Sequence, residues 1–179
     1  VLPNLALENG ELDANYFQHV PYLNDFNENN GTHIKAYYKV HFEPMGIYAG
    51  RKTVYAAGDK VVVPSDKSNY DRALELLELY GMSDATIVMV EAQNIPLALA
   101  DTDFAVINGN YALASGVTDK LLWSEDPSLT IANTMANVIA IKEETEKVKV
   151  LVEALQQPEI EQYIKDQFKG SVVYIGKNV

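Results

Sequence analysis

The sequence predicts an α/β fold, and three observations carry that expectation. Short β-rich runs such as Val61-Val62-Val63 and Thr86 to Val90 alternate with longer helical stretches. Turn signals (Asn29-Asn30-Gly31, Gly58-Asp59 and Asn108-Gly109-Asn110) separate the runs. With 179 residues, 47% of them hydrophobic, the chain can bury a sizeable core as one large domain or two small lobes.

In order along the chain, Leu5-Ala6-Leu7 ahead of Asn9-Gly10 reads as a helix end with a glycine stop. A short strand is expected at Leu12 to Ala14 and a helix through Pro21 to Asn27. Ile34 to Phe42 interleaves aromatic and β-branched residues with Lys and His, a strand pattern. Val61 to Val63 is a buried-type strand that Pro64 ends. Ser68 stands where an N-cap belongs, ahead of a helix periodic at Leu74, Leu77 and Tyr80 and stopped at Gly81. Thr86 to Val90 is a strand, Ile95 to Ala100 a short helix with Pro96 near its start, and Phe104 to Ile107 an apolar strand. Tyr111 to Ser115 reads as helical, and Leu121 to Trp123 and Val138 to Ile141 as strands. Glu144 to Phe168 is helical, and Pro158 makes it two helices or one kinked helix. Val172 to Ile175 closes the chain as a strand. Strand-helix alternation of this kind predicts mostly parallel sheets.

Charge excludes some partners. Fourteen Lys and Arg against 25 Asp and Glu give a net charge of -11, without the basic stripe that attracts a phosphate backbone, so no nucleic-acid partner is expected. With no cysteine, disulfides, thiolate zinc sites and cysteine nucleophiles are out. His19, His33 and His41 are irregularly spaced without a carboxylate cluster, so no metal is expected, and nothing calls for a cofactor. A Gly-rich phosphate loop, a nucleophile elbow and a recognisable Ser/His/Asp set are all lacking, which argues against an enzyme; His19 is the one reactive candidate. The first residue is Val1 and Val1 to Gly10 reads as the middle of an element, so further chain is expected upstream.

Polar residues follow three of the expected strands: Asn15 and Tyr16 after Ala14, Ser65 and Asp66 after Val63, and Asn108 after Ile107. In open α/β sheets ligands bind at the carboxyl ends of strands, so this pattern points to a binding cleft.

The run from Gly10 through Asp13-Ala14-Asn15-Tyr16-Phe17-Gln18-His19-Val20-Pro21-Tyr22 to Leu23 resembles the signature of the NlpA family of methionine-binding lipoproteins. Further landmarks follow in the family's order: Glu43 to Tyr48, Val63 to Leu74 with its Asn69 and Arg72, Ala105 to Ala112, and Ala136 to Ile139. The resemblance implies a two-lobed, periplasmic-binding-protein-like (type II) α/β fold with a hinge. One lobe would combine residues 1–47 with 137–179, and the other would span 48–136. The family's opening strand-helix-strand unit is absent, and the stretches Arg51 to Gly58 and Tyr80 to Ala85 are shorter than its pattern. The implied role is capture of methionine between the lobes and delivery to an ABC permease by a monomer, held outside the cytoplasm by an N-terminal lipid upstream of Val1. Another amino acid or short peptide as ligand, an enzyme, or a surface adhesion or signalling protein are the alternatives.

Methionine presents a carboxylate, an ammonium and a thioether. Arg72, near the start of a helix after the Pro64 loop, can grip a carboxylate with two parallel hydrogen bonds, and the helix N-terminus adds favourable potential for an anion. Asn69, Asn108 and Asn137 carry amides that suit a zwitterion, although Asn also serves turns and helix starts. Tyr16, Phe17, His19 and Tyr22 place four rings within seven positions, a wall that suits sulfur. Phe17 is the ring expected in the core, because strand alternation sends it away from Tyr16 and Gln18.

Overall fold

The computed structural model describes residues 2–179. It divides the chain into two compact units, Val1–Glu43 with Pro127–Val179, and Pro44–Asp126. The chain crosses between them earlier than the sequence places it in both directions. Met45–Ala49 is a strand paired wholly within the second unit, so the first crossing lies at Glu43/Pro44 and not after Ile47. The return lies at Asp126/Pro127 and not at Asn137, because the short helix Thr130–Thr134 packs on a strand of the first unit.

The first unit is built from α1 (Leu2–Glu8), β1 (Asn15–His19), α2 (Val20–Asn30), β2 (Lys35–Phe42), α6 (Thr130–Thr134), β8 (Asn137–Ile141), α7 (Glu146–Leu155), α8 (Pro158–Phe168) and β9 (Val173–Asn178). Its sheet has the order β1-β8-β2-β9 and every pairing in it is antiparallel. The expectation of mostly parallel strands fails here for a topological reason. β1 and β2, joined through α2, run the same way, but β8 arrives late in the chain and inserts between them, antiparallel to both. Alternation in β2 buries Tyr38, Val40 and Phe42, and the first two pack with Ile139, Ile141 and the inner face of α7 at Val148 and Val152. Lys39 and His41 lie at the intervening positions. Thr145 caps α7 by accepting the Val148 N–H. Helix α8 starts afresh with Pro158 in its first turn, where a missing N–H costs nothing, so the periodic run is two helices.

The expected strand at Leu12 to Ala14 is not formed. β1 starts at Asn15, so Asn15 and Tyr16 open a strand and do not follow one. Three amides hold β1 to α1. Asn4 and Gln18, both buried, exchange two hydrogen bonds of 2.7 Å, and Asn15 donates to Asn4 Oδ1 (2.8 Å) while its own Oδ1 accepts from Gln18 (2.9 Å).

The second unit contains β3 (Met45–Ala49), β4 (Lys60–Pro64), α3 (Lys67–Leu79), β5 (Thr86–Val90), α4 (Ile95–Ala98), β6 (Phe104–Asn108), α5 (Gly109–Ala114) and β7 (Leu121–Ser124). Its sheet runs β5-β4-β6-β3-β7, with β4 parallel to both β5 and β6 and β3 antiparallel to β6 and β7. Alternation along β4 feeds two cores. Val61 and Val63 join Ala73, Leu76 and Leu77 of α3, while Val62 faces Ile95, Leu99 and Ala112. The connection from β4 leads by way of α3 to β5 on one side, and the chain then returns to β6 on the other. Strand order therefore reverses at β4, and in an open α/β sheet the carboxyl ends at such a reversal flank a crevice.

Candidate ligand-binding site

Each unit gathers part of the residues singled out in the sequence. In the second unit, two of them, Asn69 and Asn108, meet at the carboxyl ends of β4 and β6. Pro64 ends β4, Asp66 caps α3 by accepting the Asn69 N–H (3.1 Å), and the Asn69 side chain donates to the same carboxylate (3.0 Å). The cap is Asp66 rather than Ser68, whose hydroxyl donates to Asp66 instead. Asn108 ends β6 in the N-cap position of α5 but caps nothing with its side chain. Its amide nitrogen approaches Asn69 Oδ1 (3.4 Å). Its own Oδ1 is buried with no hydrogen-bond partner among the described residues. A buried amide oxygen left in that state costs about 1–3 kcal/mol, so a donor brought by a ligand has a place to go.

Arg72 is the sixth residue of α3 and so lies in its second turn, beyond the end where the helix field acts. Only 3% of it is exposed. Its guanidinium meets Glu125, a residue that sequence reasoning passed over. Nε donates to Oε1 (2.6 Å) and Nη2 donates to Oε2. The carboxylate also accepts the Met45 N–H (2.7 Å).

In the first unit, His19 ends β1 opposite Asn137, Tyr22 lies in the first turn of α2, and Tyr16 stands further back, opposite Ile139. His19 caps α2, its Nδ1 accepting the Tyr22 N–H (3.1 Å), so in neutral imidazole the proton sits on Nε2. Ring centroids of Phe17 and Tyr22 are 6.2 Å apart and those of His19 and Tyr22 6.3 Å, both edge-on. Phe17 is not core. It is 42% exposed while Gln18 is buried, because a bulge falls between Tyr16 and Gln18 and gives Phe17 the extra position. Asn137, the first residue of β8, stands opposite His19 on one side and His41 on the other.

His41 and Glu43 were also missed as site candidates. His41 Nε2 lies 2.9 Å from Glu43 Oε1, and its Nδ1 meets the Tyr16 hydroxyl. An ionised carboxylate only accepts, which places the imidazole proton on Nε2 and makes Tyr16 the donor to Nδ1. Burial of that phenol end, and then the charge of Glu43, hold the Tyr16 hydroxyl protonated well above its ordinary range. His41 stands on β2 and Glu43 just past its end, a local pair visible in the sequence; Glu125 had no comparable signal.

Among the described residues no group of His, Asp and Glu is placed to hold a metal ion, and no helix is long and apolar enough to cross a membrane.

Comparison with known proteins agrees with this architecture. A D-methionine-binding lipoprotein of Escherichia coli, MetQ, is 30% identical over 203 residues, covering 97% of this chain and 73% of that protein. Among solved structures, a nutrient-binding protein from Burkholderia cenocepacia bound to methionine superposes with a TM-score of 0.87 at 35% identity, covering 97% of this chain and 83% of that one. A periplasmic substrate-binding protein of an ABC transporter from Coxiella burnetii gives 0.87 at 33% identity, with 97% and 83% covered. The family model described as NlpA lipoprotein matches residues 1–86 and 82–175. The chain belongs to the NlpA lipoprotein family.

Proposed function

We propose that the chain is the solute-binding protein of an ABC importer and that its ligand is methionine. The observation that carries the reading is the buried, unpartnered Oδ1 of Asn108, held beside Asn69 at the carboxyl end of a strand where the sheet order reverses. An ammonium donor fits that acceptor, and the Arg72 guanidinium fits a carboxylate, so the two together describe an α-amino acid. In the first unit the exposed ring of Phe17, with Tyr22 edge-on to it and His19 edge-on to Tyr22, and the ring of Tyr16 against His41, have the soft edges that sulfur favours. Asn137, between two histidines on neighbouring strands, supplies a further amide. Methionine in the Burkholderia cenocepacia structure and in the name of the Escherichia coli relative supports this choice over other amino acids. The protein acts as a monomer handing ligand to a membrane permease, and an N-terminal lipid of the family's kind anchors it outside the cytoplasm.

Calorimetry with L- and D-methionine tests the proposal. Binding is expected for the protein as it stands, and Arg72→Lys, which keeps a cation beside Glu125 but removes the planar fork, is expected to weaken it about 10- to 150-fold, the worth of one charge-assisted hydrogen bond. No heat with either enantiomer, or co-purification of a different amino acid or a peptide in mass spectrometry, overturns methionine as the ligand.

A further inference from the structure

Lys39 and Lys177 stand directly opposite each other on β2 and β9. Alternation along β2 sends Tyr38 and Val40 toward α7, so Lys39 lies on the other face, where its Nζ donates to Asn133 Oδ1 of α6 (2.9 Å). Beside that bond, within the first unit, is a recess of about 440 Å³ walled by Pro127, Leu129, Thr130, Asn133, Ile175 and Lys177. Like charges at facing positions of neighbouring strands are destabilising. Burial, and then the charge of Lys177, pull the Lys39 ammonium below its ordinary range. Among the described residues neither lysine forms an ion pair. With 25 Asp and Glu against 14 Lys and Arg, carboxylates are plentiful in this chain, yet none is set against these two cations.

We propose that the recess is an anion site, built from residues with no part in the methionine site, and that it takes the phosphate group of a small molecule. A phosphate monoester carries about -1.5 to -2 charges at neutral pH, which matches two ammonium groups where a carboxylate would match one. Lysine holds phosphate as a point charge and needs no planar fork, so two flexible stems on adjacent strands suffice. An amide whose oxygen is engaged still has two N–H donors, so Asn133 can add a directed bond, and Thr130 brings a hydroxyl to the same wall. Pro127, Leu129 and Ile175 leave the rest of the wall apolar, and Leu129 is 59% exposed. Apolar surface beside a cationic pair favours a monoester that carries an apolar group over free phosphate.

The test is a titration at constant ionic strength with inorganic phosphate, phenyl phosphate and acetate, followed by nitrogen-15 NMR, in the wild type and in Lys39→Gln and Lys177→Gln. Saturable shifts centred on residues 127–133 and 174–177 are expected, with phenyl phosphate binding tightest and acetate weakest. Each substitution is expected to weaken phosphate binding about tenfold or more, the worth of a charge-assisted hydrogen bond, and to leave methionine affinity unchanged. In scanning fluorimetry without anion, both variants are expected to melt level with or above the wild type, because the repulsion between facing charges is gone. Inorganic phosphate binding as tightly as phenyl phosphate assigns the site to free phosphate. Shifts that do not saturate, acetate binding as well as phosphate, undiminished affinity in the variants, or variants that melt well below the wild type overturn the proposal. Lys39, Asn133 and Lys177 take no part in the methionine site, so failure of either site leaves the other standing.

Discussion

Removing the carboxamide of Asn108 is expected to move stability and binding in different directions. Its Oδ1 has no partner among the described residues, and its Nδ2 makes one long contact of 3.4 Å to Asn69. In the ligand-free protein, Asn108→Ala therefore removes an unsatisfied acceptor that costs about 1–3 kcal/mol and a weak hydrogen bond worth about 0.5–1 kcal/mol. The melting temperature is expected to stay level or rise. With ligand bound, the same change removes an acceptor for an ammonium, about 1.5–3 kcal/mol, which is roughly a 10- to 150-fold loss of affinity. Calorimetry with methionine and with 4-(methylthio)butanoate, which lacks the amino group, separates the two contributions, and scanning fluorimetry of the free protein reports stability. The loss is expected for methionine and not for the desamino compound. An equal loss for both, or a variant that melts much lower while binding normally, refutes the assignment of Asn108 to the ligand.

Two further outcomes are expected for the second unit. Lys52 and the Ala56 N–H both bond to Asp59, and the Lys52 bond, followed by that of Ala56, holds its carboxyl below the usual range. A carboxyl depressed in the folded state stabilises above its unfolded value of about 4 and stops doing so as pH falls through the folded value; the melting-temperature gap between wild type and Asp59→Asn should be steady above about pH 5 and close below about pH 4, and a gap that does not vary with pH contradicts the pairing. Gly50 has no room for a side chain, since a Cβ there would meet the carbonyl oxygens of Thr102, Leu99 (2.7 Å) and Asp103 (3.1 Å), which are backbone. Gly50→Ala should cost about 1–3 kcal/mol and lower the melting temperature by roughly 2–12 °C, and a variant melting like the wild type shows that the backbone there yields.

How much of this was legible in the sequence depended on the kind of signal. The strand Thr86–Val90 and the break at Pro158 are local matters of β-branching and a missing N–H, and they fall where the residues place them. The parallel half of the expectation holds where β4 meets β5 and β6. It fails in the first unit because no local pattern says that β8, which begins 95 residues after β2 ends, will insert beside it. Phe17 was misplaced because alternation assumes an unbroken pleat, and a bulge is invisible in a single sequence. Asn69 and Asn108 do meet at the reversal point of one sheet, while Arg72 is paired with Glu125. Glu125 escaped notice because its importance lies in a pairing across 53 residues, a relation that spacing cannot express.

The amides of Asn4, Asn15 and Gln18 have a consequence for how this protein can evolve. Each is the answer to another's hydrogen-bonding need: Asn4 and Gln18 satisfy each other twice, and Asn15 closes the set. Replacing Gln18 alone by an apolar residue would strand the Nδ2 of a fully buried Asn4, whose Oδ1 keeps the Asn15 donor, at about 1–3 kcal/mol, whereas replacing the pair together by apolar residues of the same shape is nearly neutral. A lineage can therefore leave this arrangement by a double step far more readily than by a single one. Descendants should carry either both amides or neither, with residues 4 and 18 inherited as one character.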